Sequence, residues 1–261
     1  MRAQLRNAVA PGLVGLAALA LWEGLVRFYA VPSYVLPGPL AIWQALLADW
    51  PLLSGSLLVT LRIALLALLL AVGLGGLLAV VFAQSRWVER AFFPYAVVLQ
   101  VTPIVAIAPL ILIWVDDVTV SLLICAWIVA FFPVLSNTVL GLNSADRNHQ
   151  ELFRLYGATR WQTLWLLRLP AALPFFLAGL RVAGGLALIG AVVAEFVAGA
   201  GGTGSGLAFR ILEAGYQLKI PRMFAALALI SAAGIAIFAV LGLVQHLLLR
   251  RWHESALRPE G

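Results

Sequence analysis

The densest set of groups able to do chemistry lies between Glu151 and Pro170, where Glu151, Arg154, Arg160 and Arg168 alternate with Phe153, Tyr156, Trp161 and Trp165. Aromatic rings beside guanidinium groups are the residue mix that dominates binding energy at protein interfaces, so the chemistry implied is docking, not bond making. Elsewhere ionisable groups are sparse. Glu195 is a lone carboxylate in an apolar run; it fits either a solute pathway or gate, or an ion pair or hydrogen bond that fixes a neighbouring helix. Cys125 is the only cysteine, and it too sits in an apolar run. His149, His246 and His253 have no second ligand at metal-binding spacing, so neither a disulfide nor a metal site is expected. Gly199, Gly201 and Gly204 match G-x-G-x-x-G, but they follow an apolar run instead of a strand. The expectation is a flexible or re-entrant loop, with Gly201 and Gly204 as candidate gate residues, against a plain connector. Lys219, the single lysine, stands in Leu-Lys-Ile and cannot complete a Gly-Lys-Ser/Thr phosphate loop. No convergent set of acids and histidines supports a membrane-embedded enzyme.

The elements that position these groups are read from hydropathy. The 261 residues are 63% hydrophobic and 11% charged, against roughly 25% charged in soluble domains. Six apolar stretches, about 8–26, 57–83, 92–115, 118–142, 171–198 and 223–249, each approach or exceed the roughly 20 residues that cross a hydrocarbon core. Long unbroken runs argue for helices, because lipid offers no partners to a backbone that does not satisfy itself. The predicted fold class is an all-α polytopic membrane protein with about six transmembrane helices in one domain, 1–261. Arg2 and Arg6 precede the first stretch, but no small-x-small cleavage site follows, so a retained helix is expected in place of a signal peptide. The net charge of +6 rests on sixteen arginines and Lys219. Most arginines fall in one alternate set of loops, including 86, 90, 147, 154, 160, 168 and both termini. The opposite loops hold only Arg210, Lys219 and Arg222, beside Asp49, Asp116, Asp117 and Glu213. Both termini are therefore expected in the cytoplasm, and the basic balance points to membrane topology, not nucleic acid.

Within 143–170 the sequence predicts helix, break, helix: Glu151 to Tyr156 as helix, Gly157 as left-handed terminator, Thr159 as cap of a second helix, and Pro170 opening the next span. Small residues four apart, such as Ala183, Ala187 and Ala191 or Gly190, Ala194 and Ala198, predict close helix contact, either inside the chain or between subunits. Glu23 and Arg27 are spaced to pair on one helix. Arg62 and Arg181 lie at membrane depth, where a partner is required.

The segment resembles the cytoplasmic loop signature of bacterial binding-protein-dependent ABC importer permeases, Glu-Ala-Ala, three residues, Gly, nine residues, Ile-x-Leu-Pro. Glu151, Gly157, Leu169 and Pro170 fall in register, Leu167 replaces isoleucine, and Leu152-Phe153 replace the two alanines. The likeness extends through Leu36-Pro37-Gly38-Pro39, Pro103, Pro109, Phe131-Phe132-Pro133, Gly179-Leu180-Arg181 and Ala194-Glu195-Phe196, and is greatest for the nitrate, sulfonate and taurine branch. The resemblance implies a type I importer fold whose coupling helix engages a separate ATPase. Phe153, Arg154, Tyr156, Gly157, Ala158, Thr159 and Arg160, with Glu151, Leu169 and Pro170, would be the coupling residues. It also implies two ATPase subunits carrying ATP and Mg, a periplasmic or lipid-anchored solute-binding protein, a second permease copy and an inner-membrane location, with no cofactor on this chain. The alternatives are a permease for a thiamine-precursor pyrimidine or riboflavin and, from another class, an ion-gradient secondary transporter.

Overall fold

Wherever the sequence is continuously apolar, the backbone is helical in the structure, a computed structural model that describes residues 2–199 and 204–250. The elements are α1 (Arg2–Phe28), α2 (Pro39–Ala48), α3 (Trp50–Gln84), α4 (Arg86–Val101), α5 (Ile104–Trp114), α6 (Val118–Asn143), α7 (Arg147–Leu155), α8 (Arg160–Thr163), a π-helical turn (Leu164–Arg168), α9 (Leu169–Ala198), α10 (Leu207–Tyr216) and α11 (Ile220–Leu249). Among the described residues there is no strand. Four helices are long and apolar enough to cross a membrane: α3, α6, the continuous 39-residue stretch Arg160–Ala198, and α11. The first expected span lies on α1. Large apolar side chains point outward, Leu58 at 68%, Leu69 at 65% and Ile235 at 70% exposure, a surface that needs lipid or another apolar partner around it.

The third expected span, 92–115, is not straight. It is broken into α4 and α5, which meet at 98° and supply a fifth crossing only if the bent pair counts as one. The cause is Thr102-Pro103. The proline ring drives the preceding residue out of the helical region, and Thr102 is extended at φ −73, ψ 123. The Val98 carbonyl accepts both the Thr102 amide at 3.1 Å and the Thr102 hydroxyl at 2.6 Å, a doubled bond that closes the last turn of α4. By contrast Pro94, Pro109, Pro133 and Pro174 are accommodated inside helices.

The chain divides into two compact units, Met1–Leu58 with Gly201–Ser231 and Val59–Ala200 with Ala232–Gly261. In the first, Leu53, Leu207, Ala225 and Ala226 form a buried cluster. Polar ties surround it. Arg222 makes a two-pronged ion pair with Asp49, at 2.5 and 2.6 Å, and Arg210 donates to Ser56 at 3.0 Å and Glu213 at 2.8 Å. Glu23 accepts from Arg27 at 2.7 Å, the pairing expected from their spacing, and from the Leu40 amide at 3.1 Å, so it also caps the start of α2. A side chain at Gly38 would put its Cβ 2.5 Å from the Glu23 carboxylate, which is why glycine precedes Pro39.

In the second unit the core is α6 against α9. A Cβ at Gly179 would lie 2.6 Å from the Pro133 carbonyl oxygen, one at Gly190 2.9 Å from Ala126 Cα, and one at Gly141 2.8 Å from Ala172 Cα. Three glycines thus let two backbones approach where larger residues would hold them apart, and Ala183, Ala187, Ala191 and Ala194 are buried beside them. The small-residue rows therefore serve packing within the chain. Gly184 makes comparable room for Leu241 and Ile237 of α11. Arg181 finds its partner in an aromatic face: its guanidinium carbon lies 3.7 Å from the Phe238 ring centroid, beside the space left by Gly242.

These contacts predict that Gly179→Ala lowers thermal stability by about 1–3 kcal/mol through overpacking. Gly185→Ala, where nothing lies within 4 Å of the added carbon, should be neutral or stabilising because alanine favours helix. Thermal melts of the two purified variants check the contrast.

Candidate functional site

The connection from α6 to α9 is built from local rules. Asp146 caps α7, its carboxylate accepting from the Asn148 amide at 2.6 Å. At the other end Gly157 takes φ +67. The Ala158 amide donates back to the Phe153 carbonyl at 2.9 Å and the Gly157 amide to Arg154 at 3.1 Å, the paired bonds that close a helix through a left-handed glycine. Thr159 then starts α8 with a reciprocal cap: the Gln162 amide donates to its hydroxyl at 3.2 Å, and its own amide donates to the Gln162 side chain at 2.8 Å. The expected helix, break and cap are all present, α7 beginning four residues before Glu151 and ending at Leu155.

Beyond Thr159 the structure departs from the expected boundary at Pro170. No interruption separates the residues after Thr159 from the membrane-length helix, since α8, the π turn and α9 run on without a break. Pro170 lacks an amide and would clash with the carbonyl four residues earlier in a regular helix. The widened turn at Leu164–Arg168, where the Leu169 amide reaches the Leu164 carbonyl five residues back, relieves that conflict. Leu169 and Pro170 thus lie inside a continuous rod that links the Gly157 joint to Ala198.

The two faces of the joint are chemically distinct. Leu152, Phe153, Tyr156, Gly157, Ala158, Gln162 and Leu166 line a hollow of about 400 Å³. Around it Leu155 is 85% exposed and Tyr156 83%, and Trp161 and Trp165 are also exposed. Exposed aromatic and aliphatic groups this dense mark a contact surface. Arg154 and Arg160 instead line a polar cavity on another side, with Arg168, which donates to the Ala83 carbonyl at 2.9 Å. Glu151 is exposed.

Glu195 is buried at 3% exposure and accepts a hydrogen bond from the Thr60 hydroxyl at 2.8 Å, tying α9 to α3. One turn later Gly199, at φ +55, ends α9 as a left-handed cap. Gly204 is an exposed turn residue with open space around it, and Gly201 lies outside the described residues. Among the described residues no group of three or more histidine, cysteine or acidic side chains could hold a metal. Gln162, Asp146, Thr60 and the π turn were not singled out from sequence. Of these Asp146 and Gln162 carried a signal, Asp146 as a preferred N-cap type ahead of a helix and Gln162 because Thr159-Arg-Trp-Gln162 has capping-box spacing.

Residues 71–254 match the family described as binding-protein-dependent transport system inner membrane component. The formylaminopyrimidine transport permease protein ThiX of Halalkalibacterium halodurans is 35% identical over 93% of this chain and 96% of its own length. The riboflavin transport system permease protein RibX of Chloroflexus aurantiacus is 35% identical over 91% of this chain and 87% of its own. The taurine transport system permease protein TauC of Escherichia coli is 29% identical over 89% and 82%. Among solved structures, the crystal structure of an amino acid ABC transporter with histidines superposes with a TM-score of 0.64, covering 80% of this chain and 97% of that one at 20% identity, and so shares the fold. With its helices, its Glu151 to Pro170 signature and these relatives together, the chain belongs to the binding-protein-dependent transport system inner membrane component family and is an ABC importer permease of the type I fold.

Proposed function

We propose that the whole chain acts as one permease domain, paired with a second copy and with two ATPase subunits, and that the Leu152 to Trp165 surface is where ATPase movement enters the membrane. The observation that carries this reading is the rigid joint: a left-handed glycine and a reciprocal cap lock α7 to a single rod running from Arg160 to Ala198. A displacement applied to α7 is then transmitted along α9 and not absorbed by a flexible loop. Glu151, Phe153, Tyr156, Gly157, Ala158 and Thr159 contact or shape the docking surface, Arg154 and Arg160 support it from the polar cavity behind, and Leu169 and Pro170 carry the motion onward. ATP and Mg belong to the partner ATPase. The arginine-rich loops put this surface and both termini in the cytoplasm, a reading supported by the neutralisation of Arg210 and Arg222 by Glu213 and Asp49 in the opposite set. Solute arrives on a periplasmic or lipid-anchored binding protein, and cycles of ATPase closure alternate access to the pathway.

For the solute, the two relatives at 35% identity are named for formylaminopyrimidine and riboflavin, and the taurine permease stands at 29%. These identities favour a nitrogen heterocycle over the nitrate, sulfonate and taurine class, reversing the order expected from sequence; the latter class remains the second reading. Glu195, tied to Thr60 one turn before the Gly199 cap, is the outer gate residue of this reading. Gly201 and Gly204, in the loop after that cap, give the gate its freedom to move.

Copurification of an ATPase with the tagged chain tests the class; a chain that transports solute on an ion gradient with no ATPase bound contradicts it. Gly157→Val, which forces a branched side chain into a positive φ at a cost of roughly 1–2 kcal/mol, should sharply reduce solute-stimulated ATPase activity in the assembled complex. Glu195→Gln should impair uptake while leaving membrane insertion and ATPase copurification intact; wild-type uptake would remove it from the gate.

A further inference from the structure

Behind α7, on the side away from Leu152 and Tyr156, two open cavities of about 800 and 670 Å³ adjoin, sharing Arg86, Gln150 and Arg168 as lining residues. The smaller is walled by Arg86, Arg154, Arg160 and Arg168 with no carboxylate among its lining residues. The larger adds Arg90 and Arg147, against Glu89 and Asp146. The Asp146 carboxylate is engaged with the α7 amide of Asn148. Arginine ion pairs among the described residues are those of Arg27, Arg210 and Arg222, none of them in this cleft. Arg168 is the most constrained member. One of its terminal nitrogens holds the Ala83 carbonyl, while its Nε is buried without a hydrogen-bond partner. A buried guanidinium N–H left unpaired is costly, and like charges gathered in a partly enclosed space repel. The mutual repulsion of these guanidinium groups is relieved by an anion with several acceptor oxygens, which the planar guanidinium fork matches in pairs.

We propose that this arginine cleft, between the α3–α4 turn, α7 and the π turn, is a binding site for a phosphate-bearing anion. The α3–α4 turn ends one of the membrane-length helices, so the cleft lies at a membrane boundary. That position gives access both to the headgroup of an anionic lipid, as basic pockets between membrane helices allow, and to a soluble phosphate compound. The bound anion bridges α4, α7 and the start of the long rod, bracing the joint from the side opposite the docking surface.

Binding is read on the full-length permease alone, so the result does not depend on any ATPase partner. Native mass spectrometry measures retained phosphatidylglycerol against phosphatidylcholine, and thermal shift measures the response to inorganic pyrophosphate. The wild type should respond in one arm or both. Arg86→Gln combined with Arg168→Gln should weaken that response by about tenfold or more, the loss expected for charge-assisted hydrogen bonds. Arg27→Gln, in the other unit, should leave it unchanged. A lipid response assigns the headgroup as the source, a pyrophosphate response assigns the soluble anion, and both together assign a general phosphate site. Should loss of the Ala83 contact unfold the double variant, Arg86→Gln with Arg90→Gln, which leaves that contact in place, gives the same reading. No response to either probe in the wild type, or an undiminished response in the folded variants, overturns the proposal.

Discussion

The architecture depends on how closely α6 and α9 approach. At Gly141, Gly179 and Gly190 the neighbouring helix backbone or its first side-chain carbon occupies the space where a Cβ would be. Apolar burial alone does not drive helices together in lipid, because the tails are as apolar as leucine, so van der Waals contact at short range has to do it. These are also the two helices that the α7 segment joins. Locking them together fixes both ends of the connection, and the residues between are held by caps and a left-handed glycine.

That constraint has a mechanical consequence. A flexible loop between two fixed helices would dissipate a push, whereas this connection is held at both breaks: Asp146 caps α7, the Gly157 and Ala158 amides close its end, and Thr159 and Gln162 cap each other. The proline that could have severed the rod is absorbed by a π turn. The rings of Tyr156, Trp161 and Trp165 are exposed on one side of this connection, and the arginines behind α7 line a separate cleft.

Much of this was legible because it is local. Each of the six apolar runs lies on helix, five of them on one helix apiece and 92–115 on the bent pair α4 and α5, and Gly157, Thr159 and the Glu151 register were read from positions whose conformational preferences are strong. Non-local or competing effects stayed hidden. The bend between α4 and α5 was signalled by Thr102-Pro103, but the apolar run continues past it and hydropathy outweighed the proline. The continuity through Pro170 was invisible because a proline after Arg168-Leu169 reads as a boundary unless the preceding turn is known to widen. Thr60, which donates a hydrogen bond to Glu195, stands 135 positions away in the sequence, so no local window displays that pair. The arginine cleft draws on the α3–α4 turn and the α7–α8 segment, so no window of sequence displays it.

Coupling to an ATPase requires that the α7–α8 surface face the ATPase's compartment and be covered by it. Trp161→Cys in a Cys125→Ser background, probed with a membrane-impermeant maleimide, measures this directly. Labelling in inverted membrane vesicles but not in intact cells, with protection when the ATPase is assembled, is the predicted result. Labelling from the outside of intact cells, or equal labelling of inverted vesicles with and without the ATPase, would contradict it.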